Sequence, residues 1–514
     1  MAASHRKPPH AVLVPYPLQG HIIPAVHLAI KLASRGFTIT FVNTEAVHHQ
    51  TCCAARRSGS YLGHDIFPAA RSSGLDIRYE LVSDGLPVVF DRSLNHDRFM
   101  FAVLHVLSAH VEELIQKLSL RADPPLTCLI ADTFFVWPST LAKKFAIPYV
   151  SFWTEPALIF SLYYHMDLLI RNGHFASHGD RHISIPPLLL FLFPSHDSFM
   201  CLVEDNSKDT ITYVPGVAAI EPADLMSYLQ ETDVSTVVHQ IIFKAFDEAK
   251  AADFVLCNTV QELESDTISA LQREKPFYAV GPIFPAGFAR SAVATSLWAE
   301  SDCSQWLDSK PPGSVLYISF GSYAHIGRRD LEEIAHGVLG STASFIWVLR
   351  PDVVSSDEPD PLPEDFAEES HGRGVVVPWC CQVELLKHRS IGGFLTHCGW
   401  NSILESIWCG VPLLCFPLLT DQFTNRKLVV NDWRIGLNLG GMNKVNREEV
   451  SKRIESLMKG EAGNEARKNI REVRRVLEIA VTPEGSSHKN FDRFIADLME
   501  CQNHSEMVAH INML

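Results

Sequence analysis

The segment AVLVPYP, residues 11–17, is apolar without interruption and stops on turn residues, the pattern of a strand covered on both faces. HIIPAVHLAIKLASRGF follows with apolar positions at helical spacing, a proline in the first turn and Gly36 near its end, which predicts a helix. TITFVN from Thr38 is a second buried strand. Strand, helix and strand form a βαβ unit, which implies a right-handed crossover and a parallel sheet. The pattern recurs. TCLIAD from Thr127 predicts a strand, VWPSTLAKKFA a helix and PYVSFWT the next strand, and DFVLCNT from Asp253 and YAVGP from Tyr278 close the series.

VGPIFPAG, residues 280–287, is rich in proline and glycine and suits a linker. Beyond it the alternation restarts with SVLYISFGS, RDLEEIAHGVLG, FIWVLR, GVVVPW, GGFLTH, NSILESIWCG, PLLCFP and QFTNRKLVVNDW. The predicted fold class is α/β, with two doubly wound domains, residues 1–279 and 288–480, facing across a cleft. A helical segment, 481–514, ends the chain, and its NFDRFIADLME is amphipathic. Such sheets bind ligands beyond the carboxyl ends of their strands, where helix N-termini offer unpaired N–H groups and about half a positive charge. One stretch fits badly: between Gly173 and Tyr213 there is no clear period, and so long a structureless run implies function, disorder or a misassigned element.

Composition narrows the partners. A formal charge of −15 with no cluster of Lys and Arg argues against nucleic acid or an acidic membrane surface. No run of 18 apolar residues occurs, so no membrane span is predicted; IPPLLLFLFP near residue 190 is short and bounded by prolines. The N-terminus lacks the apolar core of a signal peptide, and the 12 cysteines are scattered without CxxC spacing, which together lead us to expect a cytosolic protein with free thiols. There is no GxGxxG, GxxxxGK[ST] or GxSxG, so the usual dinucleotide, P-loop and hydrolase signatures are missing. Nor is there a DxD, His-rich or cysteine cluster, and no metal is expected.

The stretch WCCQVELLKHRSIGGFLTHCGWNSILESIWCGVPLLCFPLLTDQ, Trp379 to Gln422, resembles the donor-binding signature of plant family 1 UDP-dependent glycosyltransferases, and PLQGHIIP and LIADTF in the first half fit the same family. The resemblance implies a GT-B fold of two Rossmann-like domains, with the last helix crossing back onto the first. It also implies a UDP-sugar as co-substrate rather than a cofactor. Trp379 would stack on uracil, with the backbone at Cys380 beside it, and Gln382 and Glu405 would hold the ribose hydroxyls. His397, Gly399, Asn401 and Ser402, together with Ser322 of SFGS, would receive the diphosphate at strand ends and a helix start. Asp421 and Gln422 would bind the sugar hydroxyls, with Trp400 and Thr154 as further sugar contacts. A terminal glutamine in this signature goes with UDP-glucose and a histidine with UDP-galactose, so glucose is expected. Taken singly, most of these residues read as capping groups, core aromatics or exposed helix polar groups; the whole signature raises them above that.

The implied catalytic pair is His21 and Asp132, each following a first-domain strand. A hydroxyl is a poor nucleophile until its proton is removed, and a histidine titrating near 6.5 can remove it, contributing about 10²–10⁴-fold. Asp132 would hold the other ring nitrogen and fix the tautomer. The expected partners are UDP-glucose and a small lipophilic hydroxyl acceptor, with the chain acting as a monomer and the acceptor itself open. A segment near 178–203 departs from the family and reads as an uncommon insertion or retained intron sequence. That leaves a second reading, a UDP-sugar-binding protein whose acceptor site is blocked.

Overall fold

The computed structural model describes residues 7–59, 65–175, 208–284, 288, 293, 295–354, 361–440 and 445–512, with side chains described as far as Asn503. The atypical segment 178–203 and part of the linker lie outside the described residues.

Among the described residues, thirteen strands form two sheets. The first contains β1 (His10–Val14), β2 (Thr38–Thr44), β3 (Ile77–Val82), β4 (Cys128–Asp132), β5 (Tyr149–Trp153), β6 (Phe254–Cys257) and β7 (Phe277–Ala279). The second contains β8 (Val315–Ser319), β9 (Ser344–Val348), β10 (Gly374–Val377), β11 (Ile391–Thr396), β12 (Leu413–Cys415) and β13 (Gly436–Asn438). Every pairing between these strands is parallel. The orders are β3-β2-β1-β4-β5-β6-β7 and β10-β9-β8-β11-β12-β13. Each sheet therefore reverses direction between two central neighbours, β1 and β4 in one and β8 and β11 in the other. A doubly wound sheet opens its ligand crevice at that reversal.

The uninterrupted apolar runs follow from burial on both faces. In β1, Ala11 and Leu13 pack under the helix Gln19–Ala33, while Val12 and Val14 pack with Phe99, Val103 and Leu107 on the opposite side. The helical run His96–Arg121 is long and apolar enough to cross a membrane by composition alone. It breaks at Val106, and Phe99, Val103, Leu107, Val111 and Ile115 are spent on this core. The last helix, Ser486–Asn512, sinks Phe491, Phe494 and Leu498 into the first domain's core, and Asn490 Nδ2 donates to the Ala279 carbonyl at 3.0 Å.

Two expectations differ in detail. QFTNRKLVVNDW predicts a single helix, but Gln422–Lys427 is α-helical and Leu428–Asp432 a π turn. Strand β3 escapes the sequence pattern because its central four residues are only partly buried at the sheet edge, so IRYELV shows no apolar run.

Candidate active site

His21 stands in the first turn of the helix after β1, and Asp132 is the last residue of β4, so the two flank the reversal point of the first sheet. His21 Nδ1 lies 2.8 Å from Asp132 Oδ2, and the carboxylate is 1% exposed. Asp132 Oδ1 also accepts the Phe134 N–H at 3.0 Å, which fixes the carboxylate, while Tyr16 and Phe134 rings flank the imidazole at centroid distances of 5.6 and 5.8 Å. Thr154, expected at the sugar, places its hydroxyl 3.1 Å from the same Nδ1. With Nδ1 committed to Asp132 and Thr154, Nε2 is the nitrogen left for an incoming group, and His21 lines the cleft.

Opposite this pair, β8 and β11 end on Ser319 and Thr396, and their loops carry Ser322 and His397. Gly321 (φ +74°) and Gly399 press against the His397 ring so closely that a Cβ at either would lie 2.5 Å from Nε2. Burial and the nearby Arg350 hold the His397 pKa down at about 4, and Nδ1 has no hydrogen-bond partner among the described residues. His397 is thus neutral in the free protein, and what it can offer a diphosphate is an N–H. Buried Arg350 donates to the Gly321 carbonyl at 2.7 Å and to Asp352 at 2.8 Å, stiffening the β8 loop from behind, a role that sequence spacing did not suggest.

The helix Trp400–Cys409 begins beside His397, and its N-cap is Gly399, which has no side chain to claim the first-turn N–H groups. That leaves the helix start open toward an anion. Two residues here have positive φ without being glycine, Cys398 at 69° and Thr420 at 55°. Left-handed backbone at a β-branched threonine costs energy and persists where the surroundings hold it. Thr420 is held by Ser227 across the cleft, whose Oγ accepts the Thr420 N–H at 2.9 Å.

Gln382, Ser402 and Glu405 form one network. Gln382 Nε2 donates to Glu405 Oε2 at 2.7 Å and to Ser402 Oγ at 3.0 Å, and Tyr317 donates to Gln382 Oε1 at 2.9 Å. Burial raises the Glu405 pKa to about 7. Tyr317 is the member that sequence reasoning missed. Cys380 is buried beside it, with its thiol pKa raised, chiefly by burial.

Trp379 lines the cleft with Trp298 against it, ring centroids 4.9 Å apart and planes tilted 31°. Asp421 is buried and accepts from the Thr420 hydroxyl at 2.7 Å; burial raises its pKa. Gln422 Oε1 accepts the Leu418 and Leu419 N–H groups at 2.9 and 3.1 Å, leaving its NH₂ as the group it can offer. Trp400 borders the cleft but donates its indole N–H to the Asn258 carbonyl at 2.8 Å. That bond ties the start of the second-domain helix to the first domain. Asn401, read as a diphosphate contact, donates to the Gly20 carbonyl at 2.7 Å and so ties the helix start to the residue before His21.

His21 and Thr154 on one side and Trp379, Gln382, His397, Ser402, Glu405 and Asp421 on the other line one cleft of about 630 Å³. An aromatic and phosphate-ready face on one domain opposes a histidine–carboxylate pair on the other, the layout of a GT-B glycosyltransferase. The family of UDP-glucoronosyl and UDP-glucosyl transferases matches over residues 282–475. Similarity to whole proteins is broader. The chain is 57% identical to UDP-glycosyltransferase 86A1 of Arabidopsis thaliana, over 97% of this chain and 96% of that one. It is 33% identical to 7-deoxyloganetin glucosyltransferase of Catharanthus roseus, over 98% and 99% respectively. Among solved structures, Phytolacca americana UGT2 with UDP-2fluoro-glucose and pterostilbene superposes with a TM-score of 0.73 at 25% identity, covering 96% of this chain and all 100% of that one. The chain belongs to the plant family 1 UDP-glycosyltransferases, and it is an enzyme of glycosyl transfer to small molecules.

Proposed function

We propose that this protein moves glucose from UDP-glucose to a hydroxyl of a small lipophilic acceptor, with inversion at the anomeric carbon. The observation that carries the reading is the 2.8 Å His21 Nδ1–Asp132 Oδ2 contact, which commits one ring nitrogen and leaves Nε2 to act in the cleft. In the proposed step Nε2 takes the acceptor O–H proton as the oxygen attacks the anomeric carbon. The bond to the diphosphate oxygen breaks, UDP leaves with the electron pair, and an α-linked donor yields a β-glucoside. Asp132 stabilises the imidazolium that forms and keeps the productive tautomer.

The helix start at Gly399–Ser402 and the His397 N–H would meet the charge that develops on UDP, so the reading requires no metal. Trp379 would carry the uracil, Gln382 and Glu405 the ribose, and Asp421 and the Gln422 NH₂ the sugar. The glucose assignment draws on Gln422 and on relatives whose names specify glucosyl transfer. The acceptor lobe is largely apolar: Tyr16, Leu18, Met100, Phe134, Val238 and Ile241 line it, which suits a lipophilic alcohol or phenol.

The test is transfer by the full chain from UDP-glucose to a mixed panel of phenols and alcohols, read by mass spectrometry beside His21→Ala. Hexose adducts from the wild type that disappear in His21→Ala are expected. UDP-glucose binding with no adduct on any acceptor would favour the binding-only reading.

A further inference from the structure

Glu155 directly follows Thr154, the residue on His21 Nδ1, and borders the cleft. Its Oε2 is sealed from solvent and has no hydrogen-bond partner among the described residues. Burial is the largest influence on it, the carboxylates of Asp421 and Asp132 act in the same direction, and its pKa stands well above the usual carboxylate range. Both influences favour the protonated form, in which the carboxyl can donate as well as accept.

A structural buried carboxyl looks different, and this same corner supplies one. Glu264 is fully enclosed, yet its oxygens accept the Ala157 N–H at 3.0 Å, the Leu158 N–H at 2.7 Å and the Thr259 hydroxyl, capping the helix Ala157–Tyr164. Glu155 stands beside that helix start and takes no share in it. Leaving such an oxygen unpaired is costly, and groups kept in that state call for a role. Tyr163 and Tyr228 line the same cleft as Glu155, so the carboxyl is set among first-domain aromatics.

We propose that Glu155 is a specificity-determining residue of the acceptor lobe, its carboxyl pairing with a second hydroxyl on the acceptor beyond the one that is glycosylated. The inference rests on the transferase reading above. A neutral acid that donates and accepts matches a hydroxyl, which does the same. An acceptor lacking that group leaves the carboxyl unpaired in a water-poor site, the situation in which hydrogen-bonding pockets discriminate most strongly.

The experiment compares phenol, resorcinol and tyramine as acceptors for the wild type, Glu155→Gln and Glu155→Leu. It reads kcat/KM for transfer and, by calorimetry, acceptor binding to the UDP-loaded protein. The wild type is expected to favour resorcinol over phenol by roughly 10–100-fold. Glu155→Leu should bring that ratio within about threefold, and Glu155→Gln, whose amide also donates and accepts, should keep most of it. UDP affinity should be the same in all three. Equal discrimination in wild type and Glu155→Leu overturns the proposal. So does a parallel loss for all acceptors with weakened UDP-glucose binding, which would make Glu155 a donor contact. A tyramine preference abolished in Glu155→Gln would assign the carboxyl to an ammonium group and equally overturn it. Selective resorcinol binding without transfer would fail the transferase reading while leaving the Glu155 inference standing.

Discussion

Replacing Asp132 by Asn tests the division of labour on His21. The two side chains have the same shape, and the carbonyl oxygen of the new amide could still accept the Phe134 N–H that now lies 3.0 Å from Oδ1. The other position changes from an acceptor to an NH₂ donor, 2.8 Å from His21 Nδ1. Nδ1 must then accept, its proton moves to Nε2, and the nitrogen facing the acceptor loses its lone pair. What is lost is general-base catalysis, about 10²–10⁴ in kcat, equivalent to about 3–5 kcal/mol at 1.36 kcal/mol per decade. Thr154→Val removes only the weaker Nδ1 contact, at 3.1 Å, and should cost about 3–10-fold. Neither residue contacts the nucleotide face, so the UDP-glucose Kd should hold. Initial rates of UDP release at saturating donor, with a thermal melt as a folding control, read both effects. An Asp132→Asn enzyme within threefold of wild type and equally stable would refute the tautomer argument.

Three other perturbations address the donor face and the frame. Glu405, lifted from 4.5 to about 7 by burial, holds more protons folded than unfolded between those values, so stability of the free protein should fall as pH rises across that window and level off above it. UDP binding should move the opposite way, tightening through about pH 7 as the carboxylate ionises to accept ribose hydroxyls, and Glu405→Gln should flatten both curves in melts and calorimetry. Gly399→Ala puts a methyl 2.5 Å from Nε2 of the buried His397 ring, where backbone φ is an ordinary −64°; the ring must shift, so UDP affinity should drop and the melting temperature should fall with an overpacking cost of about 1–3 kcal/mol. Truncation after Ala480 removes Phe491, Phe494 and Leu498, each 0% exposed and worth about 1.5–3 kcal/mol, and the first domain should melt markedly earlier by calorimetry.

The framework was legible in the chain because parallel strands covered on both faces must be apolar throughout, so β1, β4, β8 and β11 stand out as runs between turn residues. The family resemblance picked out His21, Asp132 and His397, and all three lie at the ends of those strands, where a doubly wound sheet meets its ligand. Less was visible where a side chain's partner is set by tertiary approach. The partner of the Trp400 indole, the carbonyl of Asn258 more than a hundred residues earlier, could not be read from spacing. That Thr154 also reaches the imidazole, with its hydroxyl 3.1 Å from His21 Nδ1, shows only once β5 is seen beside β4. Tyr317 and Trp298 carry no motif; a core tyrosine and a loop tryptophan become site residues only because β8 and the segment after the linker converge on Trp379 and Gln382. Glu155 is invisible for the same reason, being one acidic residue in a loop until its missing partners are seen.

The measurement that bears most directly on the proposed one-step displacement is the anomeric configuration of the first product. Full-length enzyme, UDP-glucose and any acceptor the panel identifies are followed by proton NMR from the earliest turnover. A β-glucoside forming directly with UDP is expected, since a single attack by an oxygen that His21 has deprotonated inverts the α-linked donor. An α-glucoside as the initial product would require two displacements or a front-side path, and would contradict the roles given to His21 and Asp132.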